Sequence, residues 1–208
     1  MPKYLNSKDS KFFNKTRELY GFNNAKKDHK TEDFIVTEGY MDVVMLSEYG
    51  INNAVASLGT AFSQNHMNLM FKLRRKITFC FDSDEAGLKA AWRALQISLK
   101  NVVDDKTVRF LFLPEGYDPD SFVKENGEQE FYKKLDRAMV LESFAFQYLK
   151  RGKKLDSPED IRQIIFEFKK ILPLVTSEML KETLMTKFSS ELNTVSYTHL
   201  RAHETVVH

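Results

Sequence analysis

The sequence predicts an α/β protein in which a parallel sheet flanked by helices is followed by a small helical bundle. Short apolar runs, rich in β-branched and aromatic residues, alternate with helix-like segments between residues 34 and 114, which is the pattern of βαβ units. These runs are continuous rather than alternating, as in strands that helices cover on both faces. After residue 127 the strand-like runs stop and helix-like segments continue.

Four apolar runs are the predicted strands, and helices are predicted between them. In chain order the strands are FIVTEG from residue 34, NAVASLG from residue 53, KITFCFD from residue 76 and TVRFLFLP from residue 107. The first two helices are YMDVVMLSEYG from residue 40 and SQNHMNLMFKL from residue 63. The third has a stripe at helical spacing, formed by Leu88, Ala91, Trp92, Leu95, Ser98 and Leu99.

The two flanks of the predicted sheet differ from it in composition. Residues 1–30 contain eight Lys or Arg against three acidic residues, and RELYGFNNAKK within them favours a short helix or turn. Downstream, helices are predicted over 128–150, 157–172 and 175–192. The middle one has an apolar face, formed by Ile161, Ile164, Ile165, Phe168, Ile171 and Leu172.

The composition is that of an ordinary soluble globular protein, with 42% hydrophobic and 29% charged residues among 208 and a net charge of +2. The single cysteine, Cys80, excludes an intrachain disulfide and a multi-cysteine zinc site. Its apolar neighbours favour a buried, unreactive thiol. No signal peptide opens the chain, and no apolar stretch approaches the ~20 residues that span a bilayer. We therefore expect a cytoplasmic location without membrane contact.

Three acidic motifs follow predicted strands. They are TEGYMD with Glu38, FDSDEAG with Asp82 and Asp84, and PEGYDPD with Asp118 and Asp120. Parallel strands bring their carboxyl ends to one edge of the sheet, where ligands bind. Carboxylates clustered without cysteine or histidine favour a hard cation with oxygen ligands, Mg²⁺ or Mn²⁺. Such an ion offsets the repulsion between the acids, so the sequence predicts a metal site at this edge.

Each motif also has a purely structural interpretation. Asp84 taken alone is more typical of a helix N-cap, and acids near a helix N-terminus are stabilised by about 0.3–1 kcal/mol. Asp118 before Pro119 is a common opening of a turn, and Glu38 before Gly39 is compatible with a polar strand end. Three such motifs in this order favour the metal site over caps and turns.

The placement of a glutamate after the first predicted strand and of D-x-D after the third resembles the TOPRIM domain. Bacterial-type primases, type IA and II topoisomerases and some nucleases share that domain. Over roughly residues 2–190 the chain is similar to the bacterial-type replicative DNA primase family, with one departure at Ser83, where the family usually has glycine. The motifs that carry this similarity are PKYLNS at 2–7, EGYMDVV at 38–44, AVASLGTA at 54–61, FDSDEAG at 81–87 and LPEGYDPDSFV at 113–123.

The resemblance implies template-directed synthesis of short RNA primers on single-stranded DNA, from ribonucleoside triphosphates, by two-metal nucleotidyl transfer. The implied catalytic metal ligands are Glu38, Asp82 and Asp84, with Asp118 and Asp120 as further ligands and Asp42 as a supporting acid. Two Mg²⁺ or Mn²⁺ ions about 3.5–4 Å apart would stabilise the attacking and leaving oxygens. The implied nucleotide- or nucleic-acid-binding residues are Lys3, Asn6, Lys15 and Gly59.

The resemblance also implies a division of the chain. Residues 1–33 would end a preceding polymerase subdomain, 34–127 would form the TOPRIM domain and 128–194 a helical subdomain. Zinc would be bound only by a missing N-terminal domain, and the replicative helicase only through a missing C-terminal region. The chain is therefore expected to be a poorly active piece of the enzyme. VSYTHLRAHET matches a translated sequencing adaptor, so residues 195–208, with their histidines, are expected to be an artefactual tail.

Two other functions stay open beside the primase. One is a TOPRIM-type nuclease that cleaves nucleic acid with a divalent metal. The other is a non-catalytic nucleic-acid-binding module in which the acids are caps and turns. A topoisomerase would need a nucleophilic tyrosine in a separate domain, for which the chain has no room. Metal binding separates the two enzymes from the module, and template cleavage separates the nuclease from the primase.

Overall fold

A mixed six-stranded sheet lies at the centre of the part of the chain that the structure, a computed structural model, describes: residues 14–28, 31–59 and 61–192. Its strands are β1 (Leu19–Tyr20), β2 (Asp33–Thr37), β3 (Ala54–Ser57), β4 (Lys76–Phe81), β5 (Thr107–Phe112) and β6 (Met139–Val140). They lie in the order β1-β3-β2-β4-β5-β6. The inner four strands are parallel, as predicted, whereas β1 and β6 add antiparallel edges.

Helices cover both faces of this sheet. They are α1 (Phe22–Ala25), α2 (Tyr40–Glu48), α3 (Gln64–Phe71), α4 (Glu85–Asn101), α5 (Pro119–Asn126), α6 (Glu128–Asp136), α7 (Leu141–Lys150), α8 (Pro158–Ile171) and α9 (Glu178–Glu191). The predicted α4 stripe is confirmed, because its members are buried or packed against the core. The predicted α8 face is confirmed in the same way. In the described part of the chain, no helix is long and apolar enough to cross a membrane.

Alternation along the strands divides the core into two layers. On one face, Phe79 and Phe110 stack with ring centroids 5.5 Å apart, in a cluster that also includes buried residues of α4, α7, α8 and α9. On the other face, Ile35 and Leu111 pack in a cluster with buried residues of α2, α5 and α6. Successive strand residues point to opposite faces, and both faces are covered by apolar clusters. Apolar residues are therefore favoured on both sides of an inner strand, which explains the continuous apolar runs in the sequence. The last three helices thus share one apolar core with the sheet.

Cys80 belongs to the second layer, where its side chain is 1% exposed. Burial raises the pKa of its thiol, because an apolar surrounding disfavours the thiolate. The predicted buried thiol is confirmed.

The predicted helical stretch 128–150 is interrupted in the structure. The α6 helix ends at Asp136 and α7 begins at Leu141, and β6 lies between them. This two-residue strand pairs with Arg109 and Phe110 of β5. Its cause is tertiary, since it satisfies backbone groups at the edge of β5, and a two-residue segment has no periodicity that a sequence could reveal. The same holds for β1, in a segment predicted as a short helix or turn.

The sequence predicts no helix at α5, and a turn is the only structural alternative that it offers for Asp118-Pro119. Asp118 instead caps the helix and Pro119 stands in its first turn, where a missing N–H removes no hydrogen bond. Gly127, with φ of 84°, ends α5 and begins α6, a backbone conformation that favours glycine. What was interpreted as a turn is therefore the start of a helix.

Candidate metal and nucleotidyl-transfer site

The predicted acidic residues lie along one edge of the sheet. Glu38 follows β2, Asp82 follows β4, and the loop after β5 leads to Asp118 at the start of α5. The three strands are neighbours in the sheet. In the sheet, β3 lies on one side of β2 and β4 lies on the other. The strand order therefore reverses between β2 and β4, and open α/β sheets bind ligands at such a switch point. Glu38 and Asp82 flank it. We call the carboxylates of Glu38, Asp82, Asp84, Asp118 and Asp120 the acidic edge.

Glu38 and Asp82 are in direct contact. The backbone N–H of Asp82 donates to Glu38 Oε1 at 3.4 Å. The first turn of α4 packs against both, because a Cβ on Gly87 would lie 2.2 Å from the Asp82 carbonyl oxygen and 3.1 Å from Glu38 Oε1. Gly87 therefore permits the close approach of α4, through the lack of a side chain.

Electrostatics show that these acids repel one another. Burial raises the pKa of Glu38, and the charges of Asp82, Asp84 and Asp42 raise it further. Burial likewise raises the pKa of Asp82, with added repulsion from Asp84 and Asp118. Desolvation and like charges both disfavour the ionised form. A bound cation would reverse both effects, so this edge is matched to positive charge.

Two acids of the edge also act as helix caps. Asp84 is the N-cap of α4 and its Oδ1 accepts from Gly87 N at 2.7 Å. Asp118 is the N-cap of α5 and accepts from Ser121 N at 2.8 Å. Hydrogen bonds from Ser121 lower the pKa of Asp118. The structural interpretation of both residues is therefore correct as far as it goes, and each keeps a second carboxylate oxygen for another partner.

Asp42 lies behind the acidic edge in the first turn of α2. Its Oδ2 accepts from Gly39 N at 3.1 Å. Burial raises the pKa of Asp42 to about 6, and Asp118, Asp82 and Asp120 contribute to the increase. The supporting acid implied by the sequence is thus electrostatically coupled to the edge.

The raised pKa of Asp42 predicts a pH-dependent stability in the absence of metal. In the folded protein its carboxyl binds a proton more tightly than an aspartate with the ordinary pKa of 3.8 does. The corresponding stability is fully present below about pH 4 and is lost as the pH rises through about 6. Asp42→Asn keeps the cap to Gly39 and should raise the free energy of unfolding at pH 7.5 by about 1 kcal/mol after solvent screening.

The measurement is thermal unfolding in EDTA between pH 4 and pH 8. Asp136→Asn, at the exposed end of α6, is the matched control and should follow the wild type. Saturating Mg²⁺ should reverse the order of wild type and Asp42→Asn. Equal stability of the two at pH 7.5 in EDTA would contradict the electrostatic coupling.

The residues at the edge fit a divalent cation that prefers oxygen. In the described ranges, no three Asp, Glu, His or Cys side chains already form a metal-binding group. Asp120 Oδ1 is buried without a hydrogen-bond partner, which is costly unless a ligand satisfies it. All donors at the edge are carboxylates, the chemistry of Mg²⁺ and Mn²⁺ sites. An open cleft of about 700 Å³ lies beside them, with Asp82, Asp84 and Asp118 in its wall.

The predicted binding residues near the N-terminus are only partly within the structure. Lys3 and Asn6 lie outside the described residues, as does the predicted tail, 195–208. Lys15 is described, and its carbonyl oxygen is 3.1 Å from His66 Nε2. Gly59 follows β3, whose carboxyl end is next to that of β2, and it adopts φ of 70°. The structure therefore brings the Gly59 loop to the same sheet edge as the acids.

Sequence reasoning missed three residues at the edge. Gly87 was quoted within a motif without a role, although its neighbours require it to lack a side chain. Ser121 satisfies Asp118 in a reciprocal cap, and the spacing Asp118-x-x-Ser121 is a recognisable capping pattern. Arg151, at the end of α7, forms an ion pair with Glu85 beside Asp84, and no local pattern connects residues so distant in sequence.

Comparisons with known proteins agree with this geometry. Residues 35–123 match the family model described as Toprim-like. The DNA primase of Pseudomonas aeruginosa is 51% identical over 150 residues, 71% of this chain and 23% of that protein. The chain thus spans about a quarter of the length of the curated relatives it matches.

Solved structures show the same likeness. A DNA primase domain from Pseudomonas aeruginosa superimposes with a TM-score of 0.89 at 41% identity, over 97% of this chain and 63% of that one. The DnaG primase catalytic domain bound to ssDNA gives a TM-score of 0.84 at 38% identity, over 91% and 61%. Residues 35–123 thus match the Toprim-like family model, and the chain is similar in sequence and fold to the catalytic core of bacterial DNA primases.

Proposed function

We propose that this chain is part of the catalytic core of a DNA primase and supplies the metal-binding half of its active site. The observation that carries the proposal is the acidic edge: carboxylates at the ends of three adjacent parallel strands, in a fold similar to that of DNA primases. The reaction is template-directed joining of ribonucleoside triphosphates into short RNA primers during DNA replication. The substrates are the triphosphates and a single-stranded DNA template.

Glu38, Asp82 and Asp84 would hold Mg²⁺ or Mn²⁺, with Asp118 and Asp120 as further ligands and Asp42 behind them. When bound, the ions supply charge stabilisation for the attacking and leaving oxygens. The chain's own contribution is to hold crowded carboxylates in a fixed arrangement, which the packing of α4 and the cap of α5 support. Phosphoryl and nucleotidyl transfer depends mostly on positioning and charge neutralisation, so histidine is not needed.

The cleft beside the acidic edge supports the proposed substrate class. Its volume of about 700 Å³ lies within the ~300–1,000 Å³ typical of small-molecule sites. The acids would repel a bare triphosphate, so the substrate binds here together with its cation. The basic segment within residues 1–33 would meet phosphates of template or nucleotide. A zinc-binding domain and a helicase-docking region would belong to parts of the full enzyme outside this chain.

The proposal is tested by a primer-synthesis assay on single-stranded DNA with Mg²⁺. We expect very low synthesis by this chain alone, because phosphate contacts dominate nucleic-acid affinity and the chain spans about a quarter of the length of its curated relatives, whose upstream region would add such contacts. Joining that region should raise synthesis. In the joined protein, Asp84→Asn should abolish it while keeping the N-cap of α4, since asparagine caps a helix as well as aspartate does.

Asp84→Ala is the matched comparison, because it removes the carboxylate and the cap together. The two variants should be equally inactive, with Asp84→Ala alone destabilised by about 1 kcal/mol. Full synthesis by Asp84→Asn would reject the metal role of Asp84 and leave it as a cap. Metal-dependent cutting of the template without synthesis would favour the nuclease. No binding of Mg²⁺ by this chain would favour the non-catalytic module.

A further inference from the structure

A fully buried histidine lies in α3, the helix that follows β3, and is not part of the acidic edge. His66, 0% exposed, is in the first turn of α3. This helix begins after β3 on the same side of the sheet as Glu38, since Phe62 and Glu38 line one cavity of about 170 Å³. Burying an imidazole costs free energy unless both ring nitrogens have partners, so its hydrogen bonds indicate its role.

The two ring nitrogens of His66 have different partners. The backbone N–H of Ser63 donates to Nδ1 at 3.2 Å, and Ser63 Oγ in turn accepts from His66 N at 3.2 Å. Nε2 lies 3.1 Å from the carbonyl oxygen of Lys15. A backbone N–H only donates and a carbonyl only accepts, so Nδ1 is unprotonated and Nε2 carries the proton. Burial lowers the pKa of His66, which favours this neutral ring.

Ser63 makes a second contact with the same segment. Its Oγ donates to the carbonyl oxygen of Thr16 at 2.7 Å. Two side chains at the start of α3 therefore hold two successive carbonyls of the segment that precedes β1. Backbone bonds from Arg17 and Glu18 to Asn14 shape this segment into a turn. The turn is thus attached to the start of α3 by Ser63 and His66. It is also attached to β3, because the β1 strand that follows it pairs with β3.

We infer that Ser63 and His66 form a latch that holds the Lys15–Thr16 backbone beyond the carboxyl end of β3, on the sheet edge that also carries the acids, and thereby positions this basic segment for the polyphosphate of a nucleotide. The role in nucleotide binding rests on the proposed function, whereas the latch itself does not. The segment carries the cationic side chains of Lys15 and Arg17, whose charge is complementary to the phosphates that the acids would repel. His66 is accordingly a positioning residue, and it contacts neither substrate nor metal.

Two substitutions at His66 separate the latch from the cap. In His66→Asn the amide oxygen can replace Nδ1 as the acceptor for Ser63 N, but no donor reaches the Lys15 carbonyl. In His66→Gln the longer amide can replace Nε2 as the donor to Lys15, while the cap acceptor is lost. The probes are Mg²⁺–ATP titrated into the 208-residue chain, and hydrogen exchange of the Arg17 and Glu18 amides.

We expect His66→Asn to weaken Mg²⁺–ATP binding and to accelerate exchange of the two amides, each by about tenfold for one lost hydrogen bond. His66→Gln should remain close to the wild type in both measurements. If either variant fails to fold, Ser63→Thr and Ser63→Ala provide the same test. Only threonine keeps a hydroxyl for the Thr16 carbonyl, so only Ser63→Ala should show the losses. Wild-type behaviour of His66→Asn, or equal losses in both His66 variants, would overturn the latch.

The same experiment distinguishes a failure of the proposed function. If the wild-type chain binds no Mg²⁺–ATP, the positioning role is rejected together with the nucleotide site. Exchange at Arg17 and Glu18 would then still decide whether the latch holds the segment. If ATP binds and both variants bind as the wild type does, the proposed function stands and the positioning role of His66 is wrong.

Discussion

Replacing Asp82 with alanine is expected to reduce primer synthesis by on the order of 10³-fold in the protein joined to its upstream region, because a lost metal ligand removes several kcal/mol of charge stabilisation. Mg²⁺ binding to the isolated chain should weaken sharply in parallel. The fold should survive, since the hydrogen bond to Glu38 Oε1 comes from the backbone of residue 82 and not from its side chain. Removing one of several crowded carboxylates also relieves repulsion within the apo protein.

Isothermal titration with Mg²⁺ and with Mn²⁺ measures the binding effect, and thermal unfolding in EDTA measures stability. Glu38→Ala should lose binding to a similar degree, and combining the two changes should add little, because residues that hold one ion act as a unit. Asp136→Asn on α6 is the charge-matched control. Unchanged Mg²⁺ binding in both Asp82→Ala and Glu38→Ala would refute the metal assignment.

The parallel core of the sheet and its acidic edge were predictable because their causes are local or topological. Each central strand is covered on both faces, so its apolar run is continuous and visible in sequence, as for the strand that contains Phe79 and Cys80. Once the strands are parallel, topology brings Glu38 and Asp82 together although they are 44 positions apart in sequence. The family resemblance added the expected ligand set to this geometric argument.

The parts that could not be predicted have tertiary causes. The strands β1 and β6 have two residues each and exist because sheet edges pair with passing chain. The helix α5 was missed for a different reason: Asp before Pro opens turns and caps helices alike, and only its packing against α2 and α6 decides the outcome.

Side-chain contacts at the site were also beyond sequence reasoning. Whether Asp84 uses its carboxylate as a cap depends on where Gly87 N lies. The bond from His66 to Lys15 connects residues 51 positions apart with no pattern between them. A sequence shows which chemical groups are present, whereas the donors and acceptors that face each other are set by the folded backbone.

Gly87→Ala is the second change with a large expected effect, and it tests the packing that holds the acidic edge. In an unconstrained helix this substitution stabilises by up to about 1 kcal/mol. Here the added Cβ would lie 2.2 Å from the carbonyl oxygen of Asp82 and 3.1 Å from Glu38 Oε1. The nearest atom is backbone and cannot rotate away, so the first turn of α4 and the loop after β4 must separate.

We therefore expect Gly87→Ala to cost about 1–3 kcal/mol of unfolding free energy and to weaken Mg²⁺ binding, although it changes no charge and removes no carboxylate. Lys89→Ala, on the exposed side of the same helix, is the control for helix propensity and should leave both nearly unchanged. Thermal unfolding and Mg²⁺ titration on the same samples provide the two readouts.

A stabilised Gly87→Ala with normal Mg²⁺ affinity would show that α4 can move away from Asp82 at no cost. Loss of stability and affinity together would show that the contact between α4 and the loop after β4 sets the spacing of Glu38, Asp82 and Asp84, and that the missing side chain of Gly87 is part of the metal site.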